Sequence, residues 1–195
     1  MRANALFHVA KRRVEVRGID LPAPAAGEVL VRSRWSAISP GTEALVFAGD
    51  FPADAALDPR IASLGGSFDY PFRYGYALVG EVAALGPGVD EALAGRTVFA
   101  FHPHQDLAIV PVDDCLPIPE GIAPEAALFL PQVETACNLV LDGGPLVGER
   151  VLVFGQGVVG LLTAALLARF PLERLVAIEP LDWRRELSAR WGVPE

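Results

Sequence analysis

The chain has 195 residues, which is enough for one well-buried domain or two small ones. Its hydrophobic content of 52% and charged content of 21% are typical of globular proteins. The net charge is −8 and no basic stretch is longer than Lys11 to Arg13, so the composition argues against nucleic acid as a partner.

Two cysteines, Cys115 and Cys137, are too few for a disulfide framework and lack metal-type spacing. We expect both to be small buried hydrophobic residues. The N-terminus mixes polar with apolar residues and has no cleavage-like site, unlike a signal peptide. The longest hydrophobic stretch surrounds Gly157 and Gly160 and has three glycines within six residues, unlike a membrane helix. We therefore expect a cytoplasmic protein with no membrane partner.

From residue 1 to about 120, short runs of β-branched and aromatic residues lie between proline and glycine turns. Six runs predict strands: ALFHV, RRVEVRGI, EVLVRSRWSAI, LVGEVAALG, RTVFAF and LAIVPVD. The third run alternates as a half-buried strand does, with Val29, Val31, Ser33 and Trp35 against Leu30, Arg32 and Arg34. This series predicts a compact β-barrel.

The pattern changes after Ala123, where residues 123–142 are rich in helix formers and Pro131 must kink or split the helix. A strand, a glycine turn, a helix over 158–169, the strand LVAIE and a helix from about Leu181 follow. Alternation of strand and helix predicts a parallel α/β sheet. We therefore predict a catalytic domain over 1–143 and a nucleotide-binding domain over 144–195.

Gly155, Gly157 and Gly160 fit the pattern G-x-G-x-x-G between an apolar strand and a helix. The first glycine permits the tight turn, the second lets the backbone approach a pyrophosphate, and the third lets the helix pack on the strand. Unpaired amides at the helix start favour an anion. The predicted cofactor-binding residues of this turn are Gly155, Gln156, Gly157, Val158, Val159 and Gly160. The alternative is that the glycines serve only strand–helix packing.

Glu179 ends the next strand, 19 residues after Gly160, where an acidic side chain accepts hydrogen bonds from an adenosine ribose. A carboxylate there would repel the 2′-phosphate of NADP, so the sequence favours NAD. Arg184 and Arg185 follow closely. They either contact such a phosphate or form a solvated helix face.

A β-rich N-terminal domain leading into this turn resembles the medium-chain dehydrogenase/reductase superfamily, the zinc-type alcohol dehydrogenases and their relatives. Three further segments resemble family landmarks: AAGEVLVRSRWSAISPGTEALVFAG, YPFRYGYALVGEVAALGPGV and IPEGIAPEAALFLPQVETACNLV. The resemblance spans essentially the whole chain. It implies an α/β fold with a GroES-like β-barrel followed by the first half of a Rossmann domain.

The family's zinc ligands are not retained in this sequence. Tyr76 and Ala77 stand where the family has His-Glu, and Pro131 stands at or near the third ligand. Ser39, Pro40 and Gly41 occupy the place of the ligand cysteine. Because these side chains cannot replace cysteine and histidine on zinc, we expect no metal. His102 and His104 of the segment HPHQ are open to three interpretations: a metal pair, a polar pocket lining or a structural turn.

The resemblance implies hydride transfer between a nicotinamide and a carbonyl, an alcohol or an activated double bond of a small-molecule substrate. Thr42 resembles the family hydroxyl that relays a proton to or from the substrate oxygen, and Thr135 the residue that touches the nicotinamide carboxamide. Without zinc, another donor must polarise the substrate oxygen. The Tyr76 phenol is one candidate, and ordinary barrel core is its alternative assignment.

A Rossmann domain has two mononucleotide halves, and this sequence contains the elements of the first. We therefore expect the chain alone to be inactive, and its open sheet to recruit a second copy or a complementary C-terminal half. The alternative is a non-catalytic remnant or a partner-dependent nucleotide-binding module.

Overall fold

Short strand-forming runs separated by turns give the N-terminal part of the chain two antiparallel sheets. The computed structural model describes residues 1–51 and 62–193, within two units, Met1–Phe129 and Leu130–Glu195. The strands of the first unit are β1 (Arg2–Ala10), β2 (Arg13–Asp20), β3 (Glu28–Ser36), β4 (Leu78–Leu85), β5 (Thr97–Ala100), β6 (Leu107–Pro111) and β7 (Cys115–Pro117). All six predicted runs form strands, and β7 is an additional one.

Strand β3 is central in the first unit because it pairs with β4 on one side and β6 on the other. The sheet order is β6-β3-β4-β5-β7, and β1 and β2 form a separate hairpin. Val29 and Val31 of β3 are completely buried, but Leu30 is buried too and Trp35 is exposed, so the predicted alternation of this strand is not observed. The core consists of small and β-branched side chains: Val29, Val31, Leu78, Val82, Val98, Ala100, Ala108, Val110 and Cys115.

Within residues 1–51 and 62–129, the first unit also has two α-helices and three 3-10 turns. Helix α1 (Thr42–Ala48) follows β3, and α2 (Pro124–Ala127) begins with proline, which suits the first turn of a helix. The 3-10 turns are Ala62–Leu64, Glu91–Leu93 and Val112–Asp114. No sequence pattern had predicted α1.

The second unit is the predicted strand–helix alternation. Its elements are α3 (Leu130–Gly143), β8 (Arg150–Phe154), α4 (Val158–Leu167), β9 (Arg174–Ile178) and α5 (Asp182–Arg190). Strands β8 and β9 are parallel, as a β–α–β unit requires. The core of this unit consists of Val140, Ala164, Leu167, Leu175, Ala177 and Val193. The α/β fold class, with a β-rich first domain and a Rossmann-like beginning, is confirmed.

The division between the units lies at Phe129/Leu130, before the predicted boundary at 143/144. Helix α3, 14 residues long, packs on α4 through Val140 and therefore belongs with the second unit. The helical region splits just before Pro131, which is the second residue of α3, where a missing N–H costs nothing. The assignment of domains by function stays a prediction.

Strand β8 is paired with β9 alone among the described residues. On one face of this strand Leu152 and Phe154 are 58% and 74% exposed, whereas Val151 and Val153 pack against the core. Parallel strands are usually covered on both faces. Within residues 1–51 and 62–193, no helix is long and apolar enough to cross a membrane.

Candidate functional site

The three glycines of the turn differ in backbone conformation and in the space around the Cβ position. Gly155 has φ +84°, a left-handed conformation that follows directly from the end of β8. A Cβ on Gly160 would lie 2.0 Å from the Gly155 carbonyl oxygen, so only glycine allows α4 to approach the strand this closely. These two glycines hold the turn in shape.

Gly157 has a different surrounding. Its backbone is extended, with φ −68° and ψ −176°, and a Cβ there would meet no atom within 4 Å. The open space lies at the start of α4, where the N–H groups of Val158, Val159 and Gly160 are in the first turn and lack intrahelical acceptors. An anion placed there would meet both the amides and the positive end of the helix dipole.

Glu179 lies beside this turn, directly after β9. Its Oε2 accepts a hydrogen bond of 2.7 Å from the Gln156 N–H, and its Oε1 accepts one of 3.0 Å from the Leu181 N–H. These backbone hydrogen bonds, Leu181 first, lower the pKa of the carboxyl. Glu179 therefore braces the glycine turn, a role that the sequence motif did not indicate.

Gln156 is buried and fully engaged. Besides the bond from its N–H to Glu179, its Oε1 accepts from Ser188 Oγ at 2.7 Å and its Nε2 donates to the Gly155 carbonyl at 3.0 Å. The side chain thus ties the turn to α5. Its backbone N–H and both polar atoms of its side chain are thus already hydrogen-bonded within the protein. Its assignment as a cofactor-binding residue stays a prediction.

The two arginines of α5 have different partners. Arg184 Nη1 is 3.6 Å from Glu179 Oε2, and its guanidinium lies over the Trp183 ring at 5.0 Å. Arg185 donates to the Glu179 carbonyl oxygen and pairs with Asp182. Both arginines are therefore anchored locally.

Thr135 lies on α3, in the same unit. Its Oγ1 donates a hydrogen bond of 2.9 Å to the Pro131 carbonyl, which holds the hydroxyl against its own helix. Its predicted contact with the nicotinamide carboxamide stays a prediction.

Two predicted catalytic hydroxyls belong to the first unit. Thr42 is exposed at the start of α1, and its hydroxyl makes no hydrogen bond to any described residue. Tyr76 is half-buried, and its ring packs edge-on against Tyr74 with centroids 6.2 Å apart. In the described part of the chain the Tyr76 phenol likewise has no hydrogen-bond partner. Both assignments stay predictions.

A hydrogen-bonded cluster of three side chains lies in the same unit, and we call Ser36, His104 and Glu43 the polar cluster. His104 Nδ1 is 2.9 Å from Ser36 Oγ, and His104 Nε2 is 2.7 Å from Glu43 Oε2. Glu43 Oε1 accepts from the Ser39 N–H at 2.8 Å. His104 and Glu43 are buried, while Ser36 is exposed at the end of β3.

Gly75 makes room for this cluster. A Cβ on this residue would lie 2.6 Å from His104 Nε2, and its φ of +122° is itself a conformation that favours glycine. The imidazole therefore fills the space that a side chain at position 75 would need. The sequence had singled out His104, but nothing in it had indicated Ser36 or Gly75 as its neighbours.

The other two histidines are buried and kept neutral. Burial lowers the pKa of His102 to about 4, and its Nδ1 lies 2.9 Å from the Pro103 carbonyl oxygen. His8 stacks on Phe72 with centroids 5.0 Å apart, and burial lowers its pKa too. His8 Nδ1 is buried without a hydrogen-bond partner among the described residues. His102 thus fits the structural turn, and His104 fits a polar site.

The residues at the family's zinc positions do not fit a zinc ion. Ser39 offers only a hydroxyl in place of a thiolate, while its backbone N–H donates to Glu43. Ala77 is 1% exposed and apolar, and Pro131 has no ligand atom in its side chain. In residues 1–51 and 62–193 no group of three or more His, Cys, Asp or Glu side chains is placed to hold a metal. Cys115, whose pKa burial raises to about 11, is a core residue.

No family model matches the chain. Among sequence relatives, it is 27% identical to L-threonine 3-dehydrogenase of Pyrococcus horikoshii, with 92% of this chain and 56% of that protein covered. The chain thus spans little more than half the length of this relative.

Two solved structures share its fold. A short chain alcohol dehydrogenase (RspB) of Escherichia coli CFT073, complexed with NADH, aligns with a TM-score of 0.78, 21% identity and coverage of 98% of this chain and 61% of that one. The quinone oxidoreductase of Thermus thermophilus, also studied with NADPH, aligns with a TM-score of 0.70, 25% identity and coverage of 97% and 58%. The resemblance to the medium-chain dehydrogenase/reductase superfamily is thus confirmed by these relatives in sequence and in fold.

Proposed function

We propose that this protein is an NAD(P)-dependent oxidoreductase that transfers hydride between a nicotinamide and a carbonyl, an alcohol or an activated alkene. The observation that carries this is the open backbone surface at Gly157, beside the amides that start α4. A Cβ on Gly160 would lie 2.0 Å from the Gly155 carbonyl oxygen, so close packing accounts for glycine at position 160 but not at position 157. The dehydrogenase and oxidoreductase names of the relatives support the same reaction class.

The residues of the turn have distinct parts in holding the dinucleotide. The N–H groups of Val158, Val159 and Gly160 would bind its pyrophosphate, and Gly157 leaves room for it. Thr135 would meet the carboxamide. The nicotinamide, when bound, supplies or takes up the hydride.

We propose NAD as the preferred dinucleotide because Glu179 places a carboxylate at the end of β9. Two backbone donors and Arg184 already contact this carboxylate, and its two oxygens offer about four acceptor positions, so acceptor capacity remains for a ribose hydroxyl. Glu179 is 6% exposed, so the proposal requires the ribose to approach through this small exposed part. The Arg184 charge is offset by its pairing with Glu179, so this guanidinium does little to favour a 2′-phosphate.

Calorimetry with NADH and NADPH tests this proposal directly. NADH should bind more tightly than NADPH, and Gly157→Asp should abolish binding because the new carboxylate would occupy and repel the pyrophosphate. Gly143→Asp is the matched control, since Gly143 also has open space around its Cβ position but lies at the end of α3. NADPH binding more tightly than NADH would move the ribose-recognition role from Glu179 to the arginines.

We further propose that the reaction is zinc-independent, with the Tyr76 phenol polarising the substrate oxygen and the Thr42 hydroxyl beside it. The absence of soft or basic ligands at the zinc positions supports this. Elemental analysis of protein purified without an affinity tag should give far less than one zinc per chain. About one zinc per chain would overturn this part and make His104 a candidate ligand.

A second candidate function is a nucleotide-binding module that depends on a partner. The exposed side chains of Leu152 and Phe154 favour it, because they leave one face of the nucleotide-binding sheet uncovered. We expect the chain alone to be inactive in either case, so the test supplies a complementary C-terminal half. Dinucleotide binding that is still without turnover, in the presence of a broad panel of alcohols and ketones, would select this candidate over the oxidoreductase.

A further inference from the structure

Oxidation of an alcohol releases a proton as well as a hydride, and the proton needs an acceptor. A hydroxyl group alone is a poor acceptor, because taking up a proton without losing one leaves an oxonium ion. It becomes an effective relay when a base stands behind it. We compare three hydroxyls among the described residues of the first unit, those of the predicted catalytic residues Thr42 and Tyr76 and that of Ser36.

Only one of these three hydroxyls has a base behind it within the described residues. The hydroxyls of Thr42 and Tyr76 have no hydrogen-bond partner there, whereas Ser36 Oγ lies 2.9 Å from the imidazole of His104. Ser36 is exposed, while His104 and Glu43 behind it are buried. The polar cluster thus runs from the protein surface to a buried carboxylate.

When the His104 imidazole is neutral, the hydrogen bonds determine which atoms of the polar cluster carry the protons. The Ser39 N–H holds Glu43 Oε1, so Glu43 presents Oε2 to the imidazole. A carboxylate can only accept, so Nε2 of His104 must carry a hydrogen. Nδ1 of the neutral ring is then an acceptor, and the Ser36 hydroxyl donates to it. The lone pairs of Ser36 Oγ are left for a group outside.

We propose that Ser36, rather than Thr42 at the family's relay position, is the hydroxyl that exchanges a proton with the substrate oxygen, and that His104 and Glu43 are its positioning residues. The inference rests on the proposed oxidoreductase function. In oxidation, the alcohol O–H proton passes to Ser36 Oγ while the Ser36 proton passes to His104 Nδ1. The C–O bond becomes C=O as the hydride leaves, and the imidazolium is balanced by Glu43. Reduction runs the same transfers backwards.

The surroundings suit an imidazole that changes its charge in place. Gly75 leaves the ring just enough room and fixes its position. His8 is the other imidazole that interacts with Glu43 and His104, and burial lowers its pKa, which disfavours a positive charge on this ring. The positive charge formed on His104 therefore has the Glu43 carboxylate as its partner.

Nitrogen-15 NMR of the histidine rings in the full chain tests the proton arrangement without any cofactor. In mildly alkaline solution, the His104 ring, assigned with His104→Gln, should carry its proton on Nε2. Ser36→Ala should shift the Nδ1 resonance and leave the Nε2 proton in place. Ser33→Ala is the matched control, because Ser33 lies on β3 like Ser36 but its hydroxyl donates to the Gln105 carbonyl. This variant should shift the resonance of neither His104 nitrogen. A proton on Nδ1 would overturn the proposal, because Ser36 would then be an acceptor.

Steady-state kinetics tests the role itself. With a panel of secondary alcohols, Ser36→Ala should lower kcat by roughly 100-fold or more, with the KM for the dinucleotide unchanged, and Ser33→Ala should retain activity. Turnover that is insensitive to Ser36→Ala would refute the relay and leave the proposed function standing. Because we expect the chain alone to be inactive, the kinetics are measured with a complementary C-terminal half supplied. A wild-type chain without turnover under these conditions would count against the proposed function, and the NMR result would still decide the proton arrangement.

Discussion

The glycine turn of the second unit and the polar cluster of the first are built in opposite ways. The turn is made of backbone: six consecutive residues shape it, and one side chain 23 positions from Gln156 braces it. The polar cluster is made of side chains that come from positions 68 and 61 residues apart. The conformation of the turn depends on glycines that have no Cβ, whereas the proton transfer proposed for the polar cluster depends on which atoms donate and which accept hydrogen bonds. Each region therefore fails under a different kind of substitution.

The largest expected effect is at Gly160, where the comparison predicts that one added methyl group breaks the turn. Gly160→Ala would place a carbon 2.0 Å from a backbone oxygen, so α4 must shift, and we expect the free energy of unfolding to fall by at least about 3 kcal/mol. Gly157→Ala has open space and should change stability by less than about 1 kcal/mol. Urea denaturation measures both. Equal losses of unfolding free energy in the two variants would mean that the close approach of helix and strand does not require glycine at position 160.

A smaller effect tests the buried histidines of the first unit. The pKa of His102 is about 4 in the folded chain, because of burial, while an unfolded histidine titrates near about 6.5. Above about pH 6.5 both states are neutral. Between about 6.5 and 4 the unfolded state takes up a proton that the folded state does not, so stability falls by roughly 2–3 kcal/mol as the solution is acidified.

His102→Asn keeps a donor for the Pro103 carbonyl and removes this titration. The difference in unfolding free energy between wild type and variant should shrink by that amount from neutral pH to about pH 4, since all other groups are common to both. Parallel curves would show that His102 gains a proton in the folded state as easily as in the unfolded chain.

The smallest effect concerns the strands that lead into each region. Strand β3, which ends at Ser36, is paired on both sides, whereas β8, which leads into the glycine turn, is paired on one side among the described residues and exposes Leu152 and Phe154. We expect micromolar self-association through β8. Leu152→Lys should weaken it by roughly tenfold, about 1.4 kcal/mol, because a charge would have to be desolvated.

Sedimentation measures this association. Val16→Lys is a matched control, since Val16 is a comparably exposed residue of another strand, β2. A monomeric wild-type chain would show that β8 is covered internally, and the expectation of a partner for this edge would lose its physical basis.

The same contrast explains how far the sequence could be interpreted. The glycine turn was predictable because spacing along the chain, between an apolar strand and a helix, is itself the structure. The bracing role of Glu179 was missed because a motif records that an acidic residue is present, not which way its oxygens point. His104 was noticed as part of HPHQ, but its link to Ser36 depends on strand pairing and the loop path. Helix α1 was missed because residues 42–48 are too short to show a periodicity.

The boundary of the second unit shows a related limit. Residues 123–142 were recognised as helix formers and Pro131 as a point of division. Nothing in that stretch, however, indicated that α3 would pack on α4. A helix pattern identifies the apolar face of a helix but not the surface that covers it. The sequence therefore placed the boundary after α3, whereas the packing of α3 on α4 groups this helix with the second unit.

The fit between Gly75 and His104 restricts the order in which this part of the protein can change over time. Any residue with a side chain at position 75 meets the imidazole at once, in a backbone conformation that already disfavours it. A change at position 104 to a smaller residue must therefore come first, and that change leaves Glu43 without its partner. Both first steps are costly when taken singly, so a side chain at position 75 is expected only after the imidazole at position 104 has been replaced.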